Sequence, residues 1–194
     1  MYGSAYVTAQ YLKEFHPEIT KVRVVGMNSI CEELKRVGLE TVGGEDEIIE
    51  AESNIDFMKD IQVDHSVNAV VVGLDTKFNY NKMAMANLCI QAGKAKFFAT
   101  NDDPFDMVGG RKSPGAGAMV SSIHLSLNDD VTPTVIGKPN PYAFQLICRE
   151  HGIQGSSAVM IGDRLDTDIW FGNSAGIKTC LVMTGCTESL AQVE

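Results

Sequence analysis

The residues whose types and spacing could do chemistry lie in AVMIGDRLDTDIWFG, Ala158 to Gly172, where a short apolar run stops at Gly162 and Asp163, Asp166 and Asp168 follow. A hard cation suits such carboxylates, since Mg²⁺ is usually held by one or two of them together with waters and substrate phosphate oxygens. Ala158 to Ile161 has the length and composition of a strand buried on both faces. Gly162 and Asp163 then fall at the strand end, the edge where open α/β sheets bind ligands. Thr167, Asp166 and Asp168 follow at or near the first turn of the next helix, where unpaired N–H groups and the positive dipole end favour negative charge. The same residues also read as a turn acid, Asp163, and a helix cap, Asp166. This stretch alone does not separate the two readings.

A second stretch, Val135 to Phe144, lies about one βα unit earlier and carries Lys138-Pro139-Asn140-Pro141. Pro139 biases Lys138 toward an extended conformation, Asn140 is a good cap, and Pro141 suits the first helical position. If the strands of Ile136 and Ile161 are neighbours, an ammonium and a carboxylate meet at one sheet edge. That is how phosphoryl charge is clamped between lysine and Mg²⁺. The bland reading is a surface lysine in a proline-fixed turn.

These residues need elements to position them. Ser4 can cap a helix through Ala5, Tyr6, Ala9 and Leu12 that ends at His16-Pro17, and Val22 to Val25 is a strand. Ser29 and Glu32 form a capping-box pattern for a helix that stops at Gly38. Residues 45–64 carry eight acids and read as an exposed irregular segment with a short helix around Ile48 and Ile49. Ala69 to Val72 is a buried strand, Asn81 to Ala92 a Met-rich helix closed by Gly93, and Phe97 to Ala99 a further strand. The long loop Thr100 to Gly117 is a candidate specificity loop. Its Gly115-Ala116-Gly117 is not a dinucleotide fingerprint, because a loop precedes it and Val120 stands where the third glycine belongs. A helix over Ala118 to Leu127, a strand Thr134 to Ile136, a helix Tyr142 to His151, the Ala158 strand, a helix to Ala175 and a strand Thr179 to Met183 complete the pattern. Strand and helix alternate, so the class is α/β with parallel sheets.

Composition narrows the ligand. The 194 residues are enough for a sizeable core, and 44% hydrophobic with 21% charged residues is the balance of a soluble globular protein. No apolar run approaches the roughly 20 residues that cross a bilayer, so no membrane role is expected. A net charge of −9 without clustered Lys and Arg argues against nucleic acid and for a small ligand. Cys31, Cys89, Cys148, Cys180 and Cys186 are odd in number, lack CxxC spacing and read as reduced core thiols. With no basic segment and apolar signal core at the start, a cytoplasmic location is expected.

GKPNPYAF followed by GDRLDTDIWFGNSAGIKTCLVMTG resembles the third and fourth motifs of the haloacid dehalogenase (HAD) superfamily. SAYVTAQYL, VVGLDTKFNYNKM, FFATNDDP and SPGAGAMV, in that order, are similar to its 4-nitrophenylphosphatase and phosphoglycolate phosphatase branch, which includes pyridoxal phosphatases. The resemblance covers nearly the whole chain. It implies a Mg²⁺-dependent phosphatase in which an aspartate attacks phosphorus to give an aspartyl-phosphate and a second aspartate, two residues later, acts as general acid and base. Lys138 matches the charge-stabilising lysine, Asp163 the Mg²⁺ aspartate and Asp168 the supporting acid of the fourth motif. The resemblance further implies a partial doubly wound, Rossmann-like core from residues 1–20 and 133–194, an inserted α/β cap over 21–132, and a homodimer formed through that cap.

One departure matters. In the family, an Asp-x-Asp that closes an apolar strand carries the nucleophile and lies N-terminal to every motif seen here, as does the Thr/Ser-Asn phosphate-binding turn; neither is found. Asp75 closes an apolar strand but Lys77 stands two positions later, and Asp166-Thr-Asp168 has the spacing without the preceding strand. The chain therefore reads as the C-terminal part of a phosphatase for a small phosphorylated metabolite, expected to be inactive by itself. Two other readings are a non-catalytic cap and dimerisation module, and a phosphate-sensing receiver-like domain, which would not need the cap. Phe105 and Asp106 lie where the family varies with substrate. Pyridoxal phosphatases carry histidine at the position of Asp106, which disfavours a phosphopyridoxal substrate, and a solvated loop acid is the alternative for Asp106.

Overall fold

The computed structural model describes residues 1–49, 61–187, 189 and 191. Five parallel strands form the main sheet: β1 (Lys21–Val25), β2 (Glu40–Gly43), β3 (Ala69–Val72), β4 (Lys96–Ala99) and β7 (Thr134–Val135), in spatial order β2-β1-β3-β4-β7. Val70 and Val72 of β3, Phe97 and Ala99 of β4 and Val25 of β1 pack on one face. Val22, Val24, Ala69, Val71 and Phe98 pack on the other. A strand whose side chains alternate between two covered faces must be apolar at every position, which is why Ala69-Val-Val-Val72 is legible as a run and not as an alternation.

Helices cover both faces. Helices α1 (Ser4–Phe15), α2 (Asn28–Arg36) and α5 (Tyr142–His151) contribute Leu12, Leu34 and Leu146 to one face; α3 (Tyr80–Gln91) and α4 (Ala116–His124) contribute Ile90 and Ile123 to the other. So α1 and α5, which the sequence reading places outside the cap, share a hydrophobic cluster with β1 and α2. The α1–α5 contact also carries paired carboxylates. Glu14 accepts from Arg149 at 2.7 and 2.6 Å and from the Tyr142 hydroxyl at 2.8 Å, and Glu150 accepts from the Tyr6 hydroxyl at 2.8 Å.

The Arg149 bonds, for Glu14, and the Tyr2 and Tyr6 hydroxyls, for Glu150, hold both carboxyls below the usual glutamate value. Depressed carboxylates add stability above their unfolded pKa and lose it as pH falls through the folded one. Lowering pH below about 4 should therefore loosen α1 on α5 before the main sheet opens. Amide exchange of residues 4–15 that rises in step with that of 69–72 would contradict this.

Several local expectations are corrected. Gly3, not Ser4, is the N-cap of α1, and Met27 precedes α2, so Ser29 lies inside that helix without a capping bond. A strand that periodicity missed, β2, pairs in parallel with β1. Ile48 and Ile49 are not helical, and residues 50–60 of the acidic segment lie outside the described residues. Cys180 is exposed, whereas Cys31 and Cys89 are buried, so the thiols are not all core thiols.

The long loop is not structureless. It contains an antiparallel hairpin, β5 (Phe105–Val108) and β6 (Arg111–Pro114), turned by Gly109 and Gly110 at φ 58° and 74°. Positive φ at both central residues is what a two-residue turn matching strand twist requires, and paired glycines accept it without strain. Below it, Gly117 packs so closely on the carbonyls of Asp102 and Asp103 that a Cβ there would overlap them. These glycines serve chain packing.

The remaining strands, β8 (Val159–Gly162) and β9 (Lys178–Leu181), form a separate two-stranded parallel sheet. This corrects the expected burial of the 158–161 run. Val159 and Ile161 are 51% and 60% exposed, because among the described residues β8 pairs with β9 and with no other strand. Helix α6 (Trp170–Ser174) packs on the sheet closely enough that a Cβ at Gly172 would strike Thr179 and Met160.

Candidate active site

The strand β8 ends at Gly162, and Asp163 and Arg164 lead into a π-helical turn, Leu165–Ile169, that continues into α6. In this wide turn the chain doubles back so that Asp168 sits over the strand end. One of its oxygens accepts from the backbone N–H groups of Asp163 and Arg164 at 3.1 and 3.2 Å, and the other pairs with the Lys138 ammonium. The fit depends on Gly162, whose Cβ would occupy the space of the Asp168 side chain. Asp166 does not cap the helix and instead accepts from Arg164 at 3.1 Å.

Lys138 arrives from the other sheet. It lies just beyond β7 in a turn that has a cis bond to Pro139, and Asn140 fixes the turn by accepting from Tyr142 N–H at 3.0 Å and donating to the Val135 carbonyl at 3.1 Å. The strands of Ile136 and Ile161 belong to different sheets, so the expected shared sheet edge is not what brings the charges together. The meeting is made by the turn, and the acid that Lys138 touches is Asp168. Asp168 is 5% exposed in its side chain, so the lysine supplies charge to a nearly dry carboxylate.

Asp163 is held by the segment after β9. Cys186 N–H donates to Asp163 Oδ2 at 2.6 Å, Thr187 N–H donates to its carbonyl at 3.1 Å, and a Cβ on Gly185 would overlap the carboxylate. The Cys186 N–H, foremost, holds the Asp163 carboxyl below the usual carboxylate range. It is an ionised group with Oδ2 fixed from the protein side. That suits it as one donor to a hard cation; among the described residues it is not joined by two further His, Cys, Asp or Glu side chains placed to share an ion. Water and ligand oxygens would have to complete such a site.

Sequence reasoning missed Arg164 and Asp103. Arg164 is 9% exposed; its Nη1 donates to the Phe105 carbonyl at 3.3 Å and its guanidinium lies 4.9 Å from the Phe105 ring centre. Asp103 lies 3.7 Å from Arg164 Nε, and burial pushes its carboxyl above the usual value against the opposing charges of Lys138 and Arg164. Neither carries a local signal, since an arginine among acids reads as a solvated residue and its burial comes from contacts with Asp103, Phe105 and Cys186, far away in sequence. Phe105 is thus joined to the cluster through Arg164. Asp106 points from the opposite side of β5 into a separate cleft of about 580 Å³, lined also by Asp75, Thr76, Phe78 and Met119. Asp75 itself is committed elsewhere, buried against Lys82 at 2.8 Å.

A lysine–aspartate pair thus stands beside an ionised carboxylate at a strand end of a parallel α/β fold, and comparison with known proteins shows what such a chain is similar to. Residues 135–193 match the "HAD-hyrolase-like" family model. Phosphoglycolate phosphatase 2 of Arabidopsis thaliana is 38% identical over 192 residues, 96% of this chain and 62% of that protein. The p-nitrophenyl phosphatase from Archaeoglobus fulgidus superposes with TM-score 0.76 at 26% identity, over 97% of this chain and 64% of the other. A glycerol phosphate phosphatase from Mycobacterium tuberculosis in complex with magnesium superposes with TM-score 0.74 at 30% identity, over 94% and 49%. The chain is similar to these HAD phosphatases along nearly its whole length, and it spans about half to two thirds of theirs.

Proposed function

We propose that this chain forms the cap and the second half of the catalytic core of a Mg²⁺-dependent phosphatase acting on a small phosphomonoester. The observation that carries the reading is the convergence of Lys138, Asp168 and Asp163, from two sheets, on one strand end. Asp163 would be the protein's carboxylate on Mg²⁺, which when bound supplies positive charge to the phosphoryl oxygens. Lys138 adds a preorganised cation for the same oxygens, and Asp168 orients that cation while its second oxygen ties down the Asp163–Arg164 backbone. The carboxylate that would attack phosphorus has no counterpart among the residues assigned here. Relatives named for phosphoglycolate, glycerol phosphate and p-nitrophenyl phosphate support a small phosphate monoester as the substrate. A homodimer through the cap and a cytoplasmic location belong to the same proposal; no described helix is long and apolar enough to cross a membrane.

Two measurements test it. Titration calorimetry should detect Mg²⁺ binding to the 194-residue chain that Asp163→Asn abolishes, and equal binding by both would remove the metal assignment. The chain by itself should not turn over 4-nitrophenyl phosphate, because it lacks the Asp-x-Asp strand end whose carboxylate would form the covalent intermediate. Mg²⁺-dependent release that survives repurification and disappears in Asp163→Asn would show that the chain is complete as a catalyst.

A further inference from the structure

Arg164 makes more directed contacts than any role so far assigned to this region requires. Its backbone N–H donates to Asp168 Oδ2 at 3.2 Å, Nη2 to Asp166 at 3.1 Å, and Nη1 both to the Phe105 carbonyl at 3.3 Å and to Cys186 Sγ at 3.4 Å. Its Nε faces Asp103 at 3.7 Å, and its guanidinium stands over the Phe105 ring. One side chain thereby touches three segments far apart in sequence: the stretch Asp103–Phe105 entering the hairpin, the turn after β8, and the loop of Cys186 that holds Asp163. Only a planar guanidinium with donors in several directions can do this, since an ammonium on a flexible stem offers a single point. The three segments enclose a cleft of about 320 Å³ lined by Pro104, Phe105, Arg164, Asp166 and Cys186.

We propose that Arg164 is a positioning residue that ties the β5–β6 hairpin to the Asp163 loop, so that the wall meeting the leaving group and the carboxylate meeting the metal are held as one unit. The mechanical tie stands on the contacts alone; its meaning for leaving-group selection rests on the phosphatase reading above. The side chain is nine-tenths buried, and what it buries against is polar and backbone surface in addition to one aromatic ring. A residue kept only for packing would not need its cation desolvated among Asp103, Asp166 and a main-chain carbonyl.

Amide hydrogen exchange of the 194-residue chain tests the tie without requiring catalysis, so a failed phosphatase reading leaves the result interpretable. In Arg164→Met, exchange across residues 105–114 and 183–187 should rise together, by about tenfold or more, while residues 69–72 stay protected. Arg164→Lys should show the same paired rise, because charge without the fork cannot reach both segments. Unchanged exchange in the hairpin overturns the proposal. A rise spread evenly over the whole chain, including β3, also overturns it and makes Arg164 a general packing residue. If Arg164→Met does not fold, Arg164→Lys and Asp103→Asn carry the same test, the latter loosening the hairpin side alone.

Discussion

Replacing Lys82 by methionine is expected to lower the unfolding free energy by about 3–5 kcal/mol, the loss seen when one partner of a buried pair is removed and the other charge is left behind. Both side chains of the Lys82–Asp75 pair are within 1% of complete burial, at 2.8 Å, and Lys82 also donates to the Glu45 carbonyl at 2.8 Å. Methionine keeps most of the apolar stem, so the loss reports charge and hydrogen bonding more than volume. Asp75 would retain the Lys77 N–H at 2.8 Å but no cation. Denaturant unfolding of the single variants and of Asp75→Leu with Lys82→Met completes the experiment. The double variant should recover most of the loss, since an apolar pair of similar volume is often neutral relative to a buried ion pair. A loss under about 1 kcal/mol in Lys82→Met would mean that water reaches Asp75.

The second large effect concerns Lys138. In a protein that supplies the attacking carboxylate, Lys138→Met should reduce turnover by about 10²–10³, the cost of one preorganised donor to developing charge. In the 194-residue chain the same change should weaken inorganic phosphate binding by about tenfold or more, with the fold retained, because Asp168 keeps two backbone N–H donors. Lys138→Arg should not restore turnover, as the longer planar group cannot occupy the position fixed by Pro139 and Asn140. Unchanged phosphate affinity and turnover in Lys138→Met would reduce Lys138 to a turn residue.

Much of this site was legible because its residues are local. Gly162, Asp163 and Asp168 fall within one strand–turn–helix, and Lys138 stands in a turn whose prolines and asparagine restrict it. Asp106 was legible only as a position. Residues 105 and 106 are neighbours in sequence, yet a strand sends successive side chains to opposite faces, so Phe105 meets Arg164 and Asp106 enters another cleft. The hairpin itself was missed because Gly109-Gly110 was read with its surrounding glycines and prolines as loop, although paired glycines between two short extended runs are a hairpin signal.

By itself, the sequence determined the α/β class, the buried β3 strand and the ends of α5, since each rests on local periodicity or turn chemistry. Tertiary structure decided the rest. That Lys138 pairs with Asp168 depends on how two separate sheets are set against each other, and that Asp75 is a structural anion depends on Lys82 folding back over it. The exposure of Val159 and Ile161 follows from which strands lie beside β8, and the linking role of Arg164 from the approach of three distant segments. None of these can be read from spacing, because contacts between segments far apart in sequence are selected by the summed packing of the chain and leave no local pattern.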